Sequence, residues 1–373
     1  VAGTLKATGG GGAFIVTEAG QDWFVPASSR NGAMHNDRVL ARVVKPPRGE
    51  RRGEAEVLQV LKRANGRIVG VYRRIQGGGV VTADERKLGG MFIPQGFERG
   101  AWDGSKVVAD ITRYPDGRRD IEGKITEVLG DRGEMEAEVL SIIRALGLRD
   151  TFPPQVKAEA DAVAASFEAA DTKSRLDLRN ELIFTIDGAD AKDLDDAVSL
   201  KKLPNGHWKL GVHIADVSRF VKTGGALDGE AWKRGTSVYL LNTVIPMLPE
   251  RLSNGVCSLH PGEDRLTLSC VMELDGNGTL IGCEVAESVI KSKARLTYDE
   301  VNAIIEDKDE QAIANRTELV DTLRDMDKLR EALRMRRMAR GAVDLDIDEP
   351  HIELDEKGVP LDVTTRYRGN AHK

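Results

Sequence analysis

Four aspartates, Asp187, Asp193, Asp195 and Asp196, stand within ten positions of one another. An apolar run, Phe184-Thr185-Ile186, delivers Asp187; a turn follows, and the other three precede the apolar Ala197-Val198. Carboxylates gathered this closely repel by roughly 1–4 kcal/mol per pair, depending on the local dielectric. A fold that collects them must protonate some or neutralise them with a cation, and hard oxygen donors favour Mg²⁺ or Mn²⁺. Three readings compete. A solvated acidic loop is the ordinary fate of an Asp-rich stretch, but it does not account for the bordering apolar residues. An EF-hand calcium loop needs glycine at its sixth position and glutamate at its twelfth, where this chain has Lys192 and Val198. A site for metal-assisted phosphoryl chemistry, with several carboxylates around one or two ions, survives.

The elements that must position these groups begin far upstream. The first 64 residues read as short strands between glycine turns: Gly3-Thr4-Leu5-Lys6, Ala13-Phe14-Ile15-Val16, Asp22-Trp23-Phe24-Val25-Pro26 and Arg38-Val39-Leu40-Ala41-Arg42-Val43. A basic hinge, Lys45 to Gly53, precedes a second set over residues 65–133. There Met91-Phe92-Ile93-Pro94 repeats the aromatic-aliphatic-proline corner, and Lys106-Val107-Val108-Ala109-Asp110-Ile111 echoes the strand from Arg38. Both sets resemble cold-shock-type OB barrels, which stack unpaired bases on aromatics and hold phosphates with Lys and Arg. Phe14, Trp23, Phe24, Tyr72 and Phe92 are the candidate platform residues, with half or more of them expected in barrel cores. Residues 134–175 read as a helical connector. From 176 onward strands and helices mix in an α+β pattern, with a long helix over 318–340 that places Leu319, Leu323, Met326, Leu329 and Leu333 at three- and four-residue steps.

Bulk composition agrees with a nucleic-acid enzyme only after the chain is divided. The net charge is −6. Residues 1–150 nevertheless carry 24 Lys and Arg against 20 Asp and Glu, while the remainder carries 30 against 40. A basic grip joined to an acidic, cation-binding half fits that polarity, and ordinary surface scatter fits it about equally well on charge alone. Cys257, Cys270 and Cys283 form no CxxC pair, so buried reduced thiols in a cytoplasmic protein are expected. No apolar run approaches the ~20 residues of a membrane helix. The first residue is Val1 rather than Met.

The spacing of the four aspartates matches the D-x-x-x-x-x-D-x-D-D signature of the RNase II/RNase R (RNB) family, and the chain resembles that family further downstream. The match continues through Val212-His213-Ile214-Ala215-Asp216-Val217-Ser218, Arg234-Gly235-Thr236-Ser237-Val238-Tyr239, Ile245-Pro246-Met247-Leu248-Pro249-Glu250 and Leu252-Ser253-Asn254-Gly255-Val256-Cys257-Ser258-Leu259, to Ala294-Arg295-Leu296-Thr297-Tyr298. The wording around Thr185-Ile186-Asp187-Gly188 and Tyr239 stands closer to the R branch than to the II branch. The resemblance implies two cold-shock-type OB barrels followed by an RNB catalytic domain, incomplete at Lys373. It implies a monomer that degrades single-stranded RNA processively from the 3′ end to nucleoside 5′-monophosphates. Asp187, Asp193, Asp195 and Asp196 would hold Mg²⁺, or Mn²⁺ in its place. Asp195 would be the one whose loss damages catalysis while sparing RNA binding, and Tyr239 would stack on the terminal base. The family often carries a second clamping aromatic where this chain has Leu345. It also continues into a helical region and an S1 barrel, so a fragment of a longer polypeptide is expected. Two rivals remain: a non-catalytic OB-fold RNA-binding protein with a degenerate nuclease domain, and a phosphatase of small phosphoesters.

Overall fold

In the computed structural model, the glycine-punctuated strands of the first part of the chain close into two successive barrels. The structure describes residues 1–47, 52–116, 119–166, 172–343, 345, 349–356 and 358–373; Arg48 to Arg51 of the basic hinge and residues 167–171 of the expected helical connector lie outside them. The first barrel runs β1 (Ala2–Ala7), β2 (Ala13–Val16), β3 (Asp22–Val25), β4 (Arg38–Lys45) and β5 (Glu54–Lys62), closing in the order β1-β2-β3-β5-β4. The second repeats that order with β6 (Arg67–Ile75), β7 (Gly78–Ala83), β8 (Gly90–Pro94), β9 (Ser105–Arg113) and β10 (Glu122–Asp131). Side chains alternate in and out along each strand. Leu5, Ile15, Trp23, Val25, Val39 and Val57 fill the first interior; Tyr72, Val81, Met91, Ile93, Val107 and Ile125 fill the second. Each such side chain of Val size or larger contributes about 1.5–3 kcal/mol by leaving water.

That alternation corrects two expectations. Trp23 and Tyr72 sit inside their barrels, and Tyr72 is wholly buried, so neither offers a ring face to a base. Phe14, Phe24 and Phe92 lie on the outward parity and are half-buried.

The expected connector also divides in two. Helix α1 (Met135–Ala145) packs on β10, β9 and β6, and Arg144 fastens it with a two-pronged pair to Glu127 at 2.7 and 3.0 Å. It belongs to the unit Val1–Asp150. Helix α2 (Pro154–Ala165) belongs to the second unit, Thr151–Lys373, where Val156, Ala160 and Ala164 make one apolar stripe against that unit's core. The two helices thus fall in different units of the chain.

The second unit is built on a seven-stranded sheet in the order β11-β18-β17-β14-β13-β12-β19. Its strands are β11 (Leu176–Asp177), β12 (Phe184–Asp187), β13 (Asp196–Lys202), β14 (Trp208–Ala215), β17 (Asp264–Leu274), β18 (Leu280–Lys291) and β19 (Ala294–Thr297); β15 (Val238–Tyr239) and β16 (Val244–Ile245) form a separate hairpin. One core joins α2, α3 (Val217–Phe220) and α4 (Ala226–Arg234) to Ala197, Ala215, Leu266 and Val289 of the sheet. On two further cores the long helix Thr317–Ala339 packs Leu319, Val320 and Leu323 against Phe184 and Leu296, and Leu329 against Leu200, Trp208 and Leu274. The sequence periodicity of 318–340 is therefore realised. Its mixed strands and helices form one layered α+β unit.

The three cysteines are free thiols, but only Cys257 is buried. Cys270 is half-buried, and Cys283 is exposed on the stretch of β18 that β11 does not flank. Among the described residues, no helix is long and apolar enough to cross a membrane.

Candidate active site

Each aspartate is delivered by a different local device. Phe184 and Thr185 are fully buried in β12, which carries Asp187 to its C-terminal end, alongside Thr297 of β19 in parallel register. Asp196 opens β13, opposite Ile214 of β14. Between them the chain lacks regular structure, yet it is anchored. Leu194 is completely buried, so Asp193 and Asp195 on either side of it face away from the core. The Leu194 carbonyl accepts from the Leu259 amide and that of Asp195 from the Ala215 amide, both at 2.9 Å. The Arg295 guanidinium holds the Ala189 carbonyl at 2.8 Å and that of Gly188 at 3.3 Å.

The electrostatics follow from four like charges on one edge of the sheet. Burial, reinforced by Asp196 and Asp193, lifts the Asp187 carboxyl above the ordinary range. Burial likewise raises Asp195, with Asp193, Asp196 and Asp187 adding to it. Tyr239 lies in the β15–β16 hairpin with 64% of its surface exposed, and its hydroxyl donates to Asp193 Oδ2 at 2.8 Å. That hydrogen bond pushes the phenol up to about 12. Tyr298 is raised as well, by burial first and then by Asp187 and Asp196. Cys257, beneath the loop, is pushed up to about 12 by burial, so its thiol stays protonated and is no nucleophile.

Does this edge suit a cation? Asp187 Oδ2 is buried without a hydrogen-bond partner, an orphan acceptor of the kind a metal ion satisfies. The donors are all carboxylate oxygens, as a hard divalent ion requires. Against this, among the described residues no three His, Cys, Asp or Glu side chains converge as a ready-made cage. The fit is one of donor type and charge, with the ligand geometry not preformed.

The structure thus gathers Asp187, Asp193, Asp195, Asp196 and Tyr239, while Phe14, Phe24 and Phe92 lie on the barrels of the other unit. Leu345 is exposed. Residue-type reasoning passed over Ser258 and Arg295, which hold the aspartate loop by its backbone. The available signal was that both fall inside the ordered segments shared with the family.

Two OB-type barrels on one chain with an α+β unit that bears an all-carboxylate edge define a class of fold and site. Comparison with known proteins narrows it. The RNB domain family matches residues 175–373, the ribonuclease B OB domain residues 3–60 and a cold-shock domain residues 80–153. Ribonuclease R of Thermotoga maritima is 44% identical over all of this chain and 52% of its own length. That of Acidithiobacillus ferrooxidans is 39% identical over 92% of this chain and 79% of its own. Mycoplasma genitalium RNase R superposes with a TM-score of 0.89 in its apo form and 0.86 in complex with ribose-methylated single-stranded RNA, at 26% identity over all of this chain and 58% of that one. The chain belongs to the RNB family, on its ribonuclease R branch. It spans about half the length of most of the relatives it matches.

Proposed function

We propose that the protein is a processive 3′→5′ exoribonuclease that hydrolyses single-stranded RNA to nucleoside 5′-monophosphates. The observation that carries this reading is the aspartate edge: four carboxylates with an orphan buried oxygen and an exposed tyrosine tied to one of them, in a chain alike throughout to ribonuclease R. Asp187, Asp193 and Asp196 are the residues that would hold Mg²⁺, or Mn²⁺ in its place. When bound, the ion supplies an activated water and charge neutralisation at the leaving 3′ oxygen. Asp195, turned out of the core beside the buried Leu194, orients the attacking water through its carboxylate oxygen. The Tyr239 ring, fixed by its hydroxyl to Asp193, has an open face for the terminal base. The barrels grip the strand upstream through Phe14, Phe24 and Phe92.

The rival reading, an RNA-binding protein without turnover, is not favoured by the likeness to ribonuclease R that runs through the chain. Single-stranded RNA labelled at its 5′ end, with Mg²⁺ or with chelator, separates the two. Stepwise shortening that stops with chelator, and that falls on the order of 10²–10⁴-fold in Asp195→Asn while RNA affinity is kept, is the expected result. Tight binding without shortening in the presence of Mg²⁺ and of Mn²⁺ establishes the second reading.

A further inference from the structure

The aspartate signature is the chemically conspicuous part of the site, yet it does not hold itself in place. Ser258 follows the π-helical turn Arg251–Val256, more than sixty residues downstream, and is completely buried. Its Oγ accepts from the Leu194 amide at 3.0 Å and donates to the Lys192 carbonyl at 2.8 Å. One hydroxyl, using its single proton and a lone pair, thereby bridges the two backbone groups that flank Asp193. The Leu194 amide is also the link between Asp193 and Asp195. The serine is itself secured, because Arg265 Nε donates to its carbonyl at 2.7 Å while the same guanidinium is paired with Glu263 at 2.6 Å.

We propose that Ser258 is a positioning residue for the metal-binding aspartates, its hydroxyl clamping the backbone on both sides of Asp193 so that Asp193 and Asp195 present their carboxylates together. The inference rests on reading those aspartates as the metal site. Mutual repulsion drives the carboxylates apart, and before a cation arrives the backbone anchors and the Tyr239 hydrogen bond to Asp193 oppose it. Leu194 is buried, so water does not replace a lost partner for its amide. Replacing serine by alanine removes a single oxygen at nearly constant volume. The expected loss therefore falls on the loop rather than on the core.

The experiment uses the protein at its full natural length, with Ser258→Ala and the hydroxyl-retaining Ser258→Thr. Mn²⁺ affinity is measured by titration, RNA affinity in chelator, mononucleotide release at saturating RNA across Mg²⁺ concentrations, and amide exchange at Leu194. For Ser258→Ala, metal affinity and the rate of release should each fall roughly 10- to 100-fold, the range typical of groups that orient metal ligands. Half-saturation should move to higher Mg²⁺, RNA affinity in chelator should hold within about twofold, and exchange at Leu194 should accelerate. Ser258→Thr should restore most of the metal affinity. Should Ser258→Ala fail to fold, Ser258→Cys, a weaker donor of similar size, takes its place in the same comparison. Unchanged metal affinity overturns the proposal, as does a loss in which RNA affinity and thermal stability fall while the Mg²⁺ dependence stays put. If the parent releases no mononucleotides, the exonuclease reading fails by itself. Mn²⁺ affinity and Leu194 exchange then still decide the role of Ser258.

Discussion

The two barrels share a strand order and even a register, yet they have solved their interiors differently. Gly3 faces Val39 in the first and Gly70 faces Val107 in the second, while Phe24 pairs with Glu54 as Phe92 does with Glu122. Counting outward from these anchors, Leu5 and Ala13 occupy in one barrel the places of Tyr72 and Gly79 in the other. A Cβ at Gly79 would lie 2.0 Å from the Tyr72 ring, so the larger side chain is accommodated by removing a methyl from the neighbouring strand. Core volume is conserved while its distribution is not. The outer faces diverge too. Phe14 and Phe24 stand 5.5 Å apart with the Arg52 guanidinium 4.9 Å over Phe14, whereas the place of Phe14 is taken in the second barrel by Val80, opposite Phe92. At these matched positions the first barrel carries a pair of rings and the second a single ring.

The largest expected effect tests the interiors. Tyr72→Ala empties the second core and should cost roughly 3–5 kcal/mol, read by urea unfolding and by amide exchange confined to β6–β10. Gly79→Ala alone forces a methyl into the tyrosine ring and should cost about 1–3 kcal/mol. Combined with Tyr72→Leu, the pairing of the first barrel, the same glycine change should become nearly neutral. Additive losses in the double variant would break the equivalence of the two cores.

That equivalence was partly legible in the sequence, and the limits of legibility are physical. Period-two alternation states which residues share a face. The inward face is the one that also carries Val25 and Ile93, which places Trp23 with Val25 in the core and turns Phe24 outward. An aromatic count without that parity put Trp23 and Tyr72 on the binding surface. The stripes of α1 and α2 were visible as helices, but the core each joins is decided by contacts distant in the chain. The aspartates announced themselves because residue type and spacing alone imply mutual repulsion. Ser258 did not, since its role exists only through hydrogen bonds to residues 64 and 66 positions away.

On the outer faces, the proposed grip on RNA predicts an unequal contribution. Stacking of a base on an aromatic is worth about 1–3 kcal/mol by alanine substitution. Phe14→Ala and Phe24→Ala should each weaken single-stranded RNA binding toward the upper part of that range, because either loss also dismantles the ring pair. Phe92→Ala, with a valine beside it, should sit at the lower end. Fluorescence anisotropy with a short oligonucleotide in chelator reads all three. Equal losses would mean that the platforms are equivalent despite their different composition.

The smallest effect separates charge from stacking in the first barrel. Arg52 over Phe14 is an exposed cation–π contact, worth about 0.5–1 kcal/mol, and its guanidinium also lies 3.8 Å from Asp22. If Arg52 meets a phosphate, Arg52→Ala should weaken RNA binding and flatten its dependence on salt by about 0.7 in the log–log slope, the share of one charge on a single strand. Arg52→Lys keeps that charge and should keep the slope, while losing the planar contact with the ring. If Arg52 instead only orients the Phe14 ring, both substitutions should reduce affinity equally and leave the slope where it was. The second outcome would make the first barrel a purely aromatic platform. The difference between the two barrels would then lie in one phenylalanine rather than in a combined cation and ring.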